Sequence, residues 1–208
     1  MGKILIVGDI HGCYTEFQEL LDLVGLSSED KIIAIGDIVD RGPDSPRVLQ
    51  FFWECPGALS LMGNHERKHV RSLRGEIEPA LSQLITRRQF GEEIYPQAVA
   101  FMDTFPRFLD LPEVILVHGF FEPGVPLVEQ RESVLVGSLT GTRYLNERYG
   151  RPWYELYQND KPIIVGHQDY SGKHEPFIYK DIVFGIDTEC CRGGALTGLT
   201  LPDFKIFS

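Results

Sequence analysis

Five short apolar runs in this chain end on a residue that can bind a cation, and that repetition constrains the fold more than any other feature. The runs are Ile4-Leu-Ile-Val-Gly-Asp9, Ile33-Ala-Ile-Gly-Asp37, Leu59-Ser-Leu-Met-Gly-Asn64, Val114-Ile-Leu-Val-His118 and Ile163-Ile-Val-Gly-His167. Each is a few residues of mostly Ile, Val and Leu, too short for a helix and apolar at successive positions, which is the pattern of a strand covered on both faces. In an α/β sheet, polar groups placed just beyond the carboxyl ends of the strands gather in one crevice. All five endings should therefore face a single cleft.

The segments between the runs read as crossovers. Phe17, Leu20, Leu21 and Val24 fall at i, i+3, i+4 and i+7, so Tyr14 to Val24 is an amphipathic helix, with Thr15 and Gln18 spaced as a capping box. Val48, Leu49 and Phe52, after the Pro43 to Pro46 turn, predict a second helix leading to the Leu59 strand. From Glu66 to about Phe105 the pattern is helical, with Pro79 and Pro96 as expected interruptions. Residues 120–160 are rich in Gly and Pro with weak periodicity, a long irregular stretch of the kind that carries specificity. The end of the chain reads as strands at Ile182–Ile186, Leu196–Leu201 and Phe204–Phe207, joined by Gly193-Gly194 and Pro202-Asp203 turns.

A chain of 208 residues is long enough for one domain with a full core, and no linker or repeat divides it, so residues 1–208 are expected to form one domain. The net charge of −10 argues against a nucleic-acid partner, which needs Lys and Arg to displace counterions. No apolar run approaches the roughly 18 residues of a membrane span, and the first strand begins without a leader, so the expectation is a cytoplasmic protein with no membrane partner. Cys13, Cys55, Cys190 and Cys191 show no Cys-x-x-Cys spacing. The adjacent pair Cys190-Cys191 would point to opposite sides of an extended chain, which favours packing over a redox site.

An acidic protein that handles anionic phosphate needs local positive charge, and bound cations provide it. Asp9 and His11, at i and i+2, can point to the same side of an extended segment. Their mixed oxygen and nitrogen donors suit a first-row cation such as manganese, iron or zinc better than calcium. Asp37 can give one oxygen to each of two ions, and Asn64, His118 and His167 would complete the ligand set of the second ion. Such a pair activates a water molecule for in-line attack on phosphorus. Arg41 is placed to grip the phosphate oxygens, and His65, held as a cation by Asp40, to protonate the departing oxygen. Four of the six histidines fall at these strand ends, which separates the pattern from chance. His69 and His174 lie outside it and read as surface residues, Asp169 as an exposed loop carboxylate, and Glu66 as a helix N-terminal charge rather than a ligand. The basic cluster Arg67, Lys68, Arg71 and Arg74 reads as a solvated helix face.

Taken together, Gly8-Asp-Ile-His-Gly12, Gly36-Asp-Ile-Val-Asp-Arg-Gly42, Gly63-Asn-His-Glu66, Val117-His-Gly119 and Gly166-His167 resemble the signature of calcineurin-like metallophosphoesterases, and more narrowly of phosphoprotein phosphatases. The resemblance runs from residue 3 to about 201. It implies an α/β four-layer sandwich of two central mixed β-sheets flanked by helices. It also implies two divalent metal ions, manganese first, with iron, zinc or nickel as alternatives. The family adds a second phosphate-binding Arg between the late histidines, for which Arg143 is preferred over Arg148 and Arg151. The intact Asp40-Arg41 and Asn64-His65 pairs resemble a Ser/Thr protein phosphatase acting on phosphorylated protein. The tail Ile186-Asp-Thr-Glu-Cys-Cys-Arg-Gly-Gly-Ala-Leu-Thr is instead similar to symmetrical diadenosine tetraphosphatases, with a nucleotide substrate. A non-catalytic binding module would be expected to lack ligands, and none is missing. The ranking is therefore protein phosphatase first and tetraphosphate hydrolase second.

Overall fold

The computed structural model describes residues 2–208. The chain builds two five-stranded mixed sheets that lie face to face with helices outside both, the four-layer arrangement expected. The first sheet contains β1 (Ile4–Val7), β2 (Lys31–Ala34), β3 (Ala58–Ser60), β9 (Gly198–Leu201) and β10 (Lys205–Phe207), in the order β10-β9-β1-β2-β3. β1, β2 and β3 are parallel, while β9 runs antiparallel to β1 and to β10. The second sheet contains β4 (Phe108–Asp110), β5 (Ile115–Val117), β6 (Ile163–Val165), β7 (Phe177–Tyr179) and β8 (Val183–Gly185), in the order β4-β5-β6-β8-β7. Its central strands β5, β6 and β8 are parallel, and its two edge strands pair antiparallel.

The central strands are apolar because both of their faces are covered. In β1, Ile6 faces the other sheet, where it packs with Ile33, Leu61, Leu116, Ile164, Phe184 and Leu199. Its neighbours Leu5 and Val7 face the opposite way, into a core shared with the helices. Those helices are α1 (Tyr14–Val24), α2 (Ser45–Glu54), α3 (Asn64–Leu73) and α4 (Leu81–Met102). In β5, Ile115 and Val117 likewise face away from the middle layer, toward α5 (Glu132–Leu135) and α6 (Leu139–Arg148). Leu116 is fully buried between the sheets. Leu116→Ala is expected to cost about 2–5 kcal/mol through lost transfer energy and a residual cavity. Urea unfolding should show this as a lower midpoint at unchanged slope.

Local expectations fail where a tertiary contact outweighs sequence spacing. α1 has the predicted limits, but its N-cap is Cys13 without a side-chain hydrogen bond, so the Thr15 to Gln18 capping box does not form. The long helical stretch divides at Pro79 as expected, since α4 starts at Leu81. Its second break is at Gly91 (φ 74°, ψ 160°) and not at Pro96, which lies inside the helix. Glycine reaches that left-handed φ without a side-chain clash, so the chain changes direction there. The short edge strands β4 and β7 lay outside any apolar run and were not legible. The basic face of α3 is solvated and ion-paired: Arg67 with Glu132, Arg71 with Glu76, Arg74 with Asp103. Among the described residues no helix is long and apolar enough to cross a membrane.

Candidate active site

Because parallel strands of both sheets end on the same side, their carboxyl ends converge on one cluster. β1 delivers Asp9 and His11, β2 delivers Asp37, and β3 leads straight into α3, whose first residues are Asn64 and His65. From the second sheet, β5 delivers His118 and β6 delivers His167. The centre is Asp37. Its Oδ2 lies 3.4 Å from His118 Nε2, 3.7 Å from His11 Nε2 and 4.0 Å from His65 Nε2. His11 Nε2 is 3.9 Å from Asp9 Oδ2, and His118 Nε2 is 3.3 Å from Asn64 Oδ1. His167 closes the cluster, its ring edge-on to His118 at 5.3 Å and its backbone N–H donating to Asp9 Oδ1 at 3.0 Å. All six expected metal ligands are therefore brought together, and all but His167 are buried.

The backbone is forced into this shape. His11, Asp37, Asp40, Arg41 and His167 have φ of 49°, 51°, 72°, 66° and 73°. Non-glycine residues rarely adopt this left-handed region, and such strain persists only where surroundings impose it. What imposes it at Asp37 is Glu66. Its fully buried carboxylate accepts the backbone N–H groups of Asp37 and Ile38 at 2.9 Å, of Val39 at 3.3 Å and of Gly63 at 3.0 Å. Glu66 does sit in the first turn of α3, as expected of a helix charge, but it acts as the clamp that shapes the Asp37 loop. Burial and the Asp37 charge push its carboxyl up to about 7. Glycine is required at two close approaches: a Cβ on Gly63 would strike the Asp37 carboxylate, and one on Gly166 the Asp9 carboxylate.

Electrostatics and hydrogen bonding fit divalent cations. His11 and His118 each place Nδ1 against a carbonyl, Val39 O at 2.9 Å and Ile35 O at 3.0 Å, which orients each ring with Nε2 on the side of Asp37. Two atoms of the ligand residues, Asp9 Oδ2 and His167 Nδ1, are buried with no hydrogen-bond partner among the described residues. Burial, then the facing Asp187, raises the Asp9 carboxyl well above its ordinary value. Burial acts the same way on Asp37, but His118, His65 and His11 outweigh it and hold that carboxyl well below the usual range. His118 is pushed up to about 10 by Asp37 and Asp9 against its own burial. Two triads, His11-Asp37-His65 and Asp37-His118-His167, have donor atoms within 4.8 Å of one another. Buried oxygen and imidazole donors left without protein partners are what a pair of cations would satisfy.

The remaining groups divide clearly. Arg41 reaches over the cluster, Nη1 2.7 Å from His11 Nε2 and Nη2 3.1 Å from His65 Nε2. His65 Nδ1 meets Asp40 Oδ2 at 2.6 Å. Arg143 is exposed on α6 and makes no hydrogen bond or ion pair among the described residues. Arg148 is occupied by Glu122 and Tyr149, and Arg151 by Glu155, so Arg41 is the guanidinium that the fold brings to the ligands.

Two expectations on single residues are corrected. His69 is not a surface residue: it is fully buried, with Nε2 2.8 Å from Asp40 Oδ1 and Nδ1 2.9 Å from the Tyr95 hydroxyl. Its i+4 spacing from His65 on α3 puts both rings on one side of Asp40, and that spacing was the available signal. Asp187 was missed altogether. It is buried just past β8, its carboxyl raised to about 6 by burial. Ile182-Val-Phe-Gly-Ile186-Asp187 is a sixth apolar run ending on a ligand type, so the original pattern contained it. His174 is exposed and beside Glu189, as expected. Asp169 is half-buried rather than free in a loop, accepting backbone N–H groups from Ser171, Gly172 and His174. Cys190 packs in the core, its thiol raised by a hydrogen bond to Cys13 and by burial, which agrees with the packing role.

The comparisons with known proteins agree with this geometry. The model of the calcineurin-like phosphoesterase family matches residues 2–194. A relative from Bacillus cereus (strain B4264), an asymmetrical bis(5'-nucleosyl)-tetraphosphatase named PrpE, is 29% identical over 99% of this chain and 93% of its own. The crystal structure of a protein provisionally described as a diadenosine tetraphosphatase superposes with a TM-score of 0.81 at 26% identity, over 99% of this chain and 92% of that one. A cold-active protein-tyrosine phosphatase of a Shewanella species shares the fold at a TM-score of 0.64 and 17% identity, over 99% of this chain and 77% of that one.

Proposed function

The chain belongs to the calcineurin-like phosphoesterase family and is a phosphoester hydrolase, and we propose that within this family it cleaves a dinucleoside tetraphosphate rather than a phosphorylated protein. The observation that carries this reading is the full-length similarity to tetraphosphatases. This reading reverses the ranking made from the Asp40-Arg41 and Asn64-His65 pairs, because those pairs serve phosphate chemistry in general while the full-length relatives favour the tetraphosphate alternative. The relative named above is asymmetrical, so cleavage next to one nucleoside, giving a nucleoside triphosphate and a monophosphate, replaces the symmetrical alternative.

In this reading Asp9, His11 and Asp37 would hold one divalent cation, and Asp37, Asn64, His118 and His167 the other, with manganese the first candidate. Bound there, the cations supply charge against the phosphate oxygens and lower the pKa of water. Arg41 neutralises the transferred phosphoryl oxygens through its fork of donors. His65, its Nδ1 held 2.6 Å from Asp40 Oδ2, is oriented to give a proton to the departing oxygen.

Chelator-stripped protein reloaded with manganese should convert diadenosine tetraphosphate to ATP and AMP, resolved by ion-exchange chromatography. Activity should vanish on stripping and return on loading. Two ADP molecules would restore the symmetrical assignment. Release of phosphate from phosphoserine peptides, with the tetraphosphate untouched, would overturn the proposal.

A further inference from the structure

Next to the metal-ligand cluster lies a cavity of about 600 Å³, lined by Phe120, Asn146, Tyr149, Trp153, Gln168 and Tyr170 among others. That volume falls within the roughly 300–1,000 Å³ of small-molecule sites. Its inner end touches the cluster: the Phe120 ring stands edge-on to His167 at 5.1 Å, and Gln168 is the next residue in the chain. Its far wall is aromatic and fixed in place. Trp153 Nε1 donates to the Tyr170 hydroxyl at 3.2 Å, Tyr154 packs edge-on to Tyr170 at 5.8 Å, and the Tyr149 hydroxyl meets Glu122 Oε1 at 3.2 Å. Its polar groups are the amides of Asn146 and Gln168, the Thr142 hydroxyl, the Asp169 carboxylate, the tyrosine hydroxyls and the Arg151 guanidinium, which is paired with Glu155.

We infer that this cavity binds one nucleoside of the substrate, the base against the aromatic wall and its edge toward the amides. The inference rests on the tetraphosphate reading above. Stacking on aromatic side chains accepts any base, because each has a π face, and is worth about 1–3 kcal/mol per base. A rigid wall loses little side-chain freedom on binding. Phe120 lines the cavity and packs on His167, so a nucleoside held there stays close to the reacting phosphorus. Cleavage beside a nucleoside needs that proximity, and the remaining phosphates then extend away from the cavity.

The chain has two tryptophans, and Trp53 is half-exposed on α2, stacked on Phe101. In a Trp53→Phe background Trp153 is the sole reporter, and AMP should quench its fluorescence in chelator-treated protein while inorganic phosphate should not. Asn146 is exposed on α6, so Asn146→Phe narrows the cavity without disturbing the core. In that variant AMP should bind roughly tenfold more weakly or worse, and the KM for diadenosine tetraphosphate should rise by a similar factor with kcat little changed. Absence of AMP quenching, or unchanged AMP affinity and KM in Asn146→Phe, would overturn the inference. The two readings fail separately: AMP quenching weakened by Asn146→Phe in a protein that does not cleave the tetraphosphate keeps the cavity and rejects the substrate. Tetraphosphate cleavage without AMP quenching keeps the substrate and rejects the cavity.

Discussion

Replacing Asp37 with Asn should lower metal-dependent turnover by about 10²–10³-fold and reduce the divalent metal retained per chain. Asp37 is the carboxylate on which both triads of donor atoms depend, with three imidazole Nε2 atoms 3.4–4.0 Å from its Oδ2. Its other oxygen, Oδ1, accepts the His65 backbone N–H at 2.9 Å, a bond that the amide oxygen of Asn can also accept. The substitution therefore keeps the shape and removes the charge. Circular dichroism should show an intact fold, and metal analysis after gel filtration should show the deficit. Full activity with two metals bound would mean that the cluster is not the site. Asn64→Ala should behave similarly but more mildly, since one neutral oxygen is lost and not a shared anion.

Much of this site was legible because a single rule produced it. Strands covered on both faces must be apolar throughout, so any polar residue at their ends stands out, and parallel connections put those ends together. Asp9, His11, Asp37, Asn64, His118 and His167 all followed from that. What escaped had a different physical origin. Glu66, His69, Gln83 and Thr86 act through buried hydrogen bonds formed when α3 and α4 pack against the Asp37 to Arg41 loop, and helical spacing alone cannot separate a buried polar position from a solvated one. The left-handed residues were invisible as well, since nothing in the side chains of His11 or Arg41 demands a positive φ. Most of the aromatic cavity, Phe120 and the lining residues from Thr142 to Tyr154, comes from the weakly periodic stretch 120–160, where tertiary contacts rather than repeats decide the fold.

Asp40→Ala should be the most destabilising single change near the site, by about 3–5 kcal/mol, with the thermal midpoint lower by about 10 °C or more. The carboxylate is fully buried and takes His65 Nδ1 at 2.6 Å, His69 Nε2 at 2.8 Å, Thr86 Oγ1 at 2.6 Å and the Gln83 amide. Alanine leaves those donors without an acceptor, and each unsatisfied group costs about 1–3 kcal/mol. Burial alone would raise the Asp40 carboxyl, but the hydrogen bonds from His65 and His69 outweigh it and hold it well below the usual range. The sign follows: a depressed carboxylate contributes stability above its unfolded pKa of about 4 and loses it as pH falls further. The difference between wild type and Asp40→Ala should accordingly be full at pH 7 and shrink in acid, which urea titrations at several pH values would measure. A variant as stable as wild type at pH 7 would sink the argument. Catalysis adds a second, separable readout. Without Asp40 the His65 ring loses its anchor, and proton donation matters most when the departing oxygen is a strong base. The loss should reach about 10²-fold or more on an alkyl phosphate and be smaller on the tetraphosphate, whose leaving group is itself a phosphate. Equal losses on both substrates would assign Asp40 to shape alone.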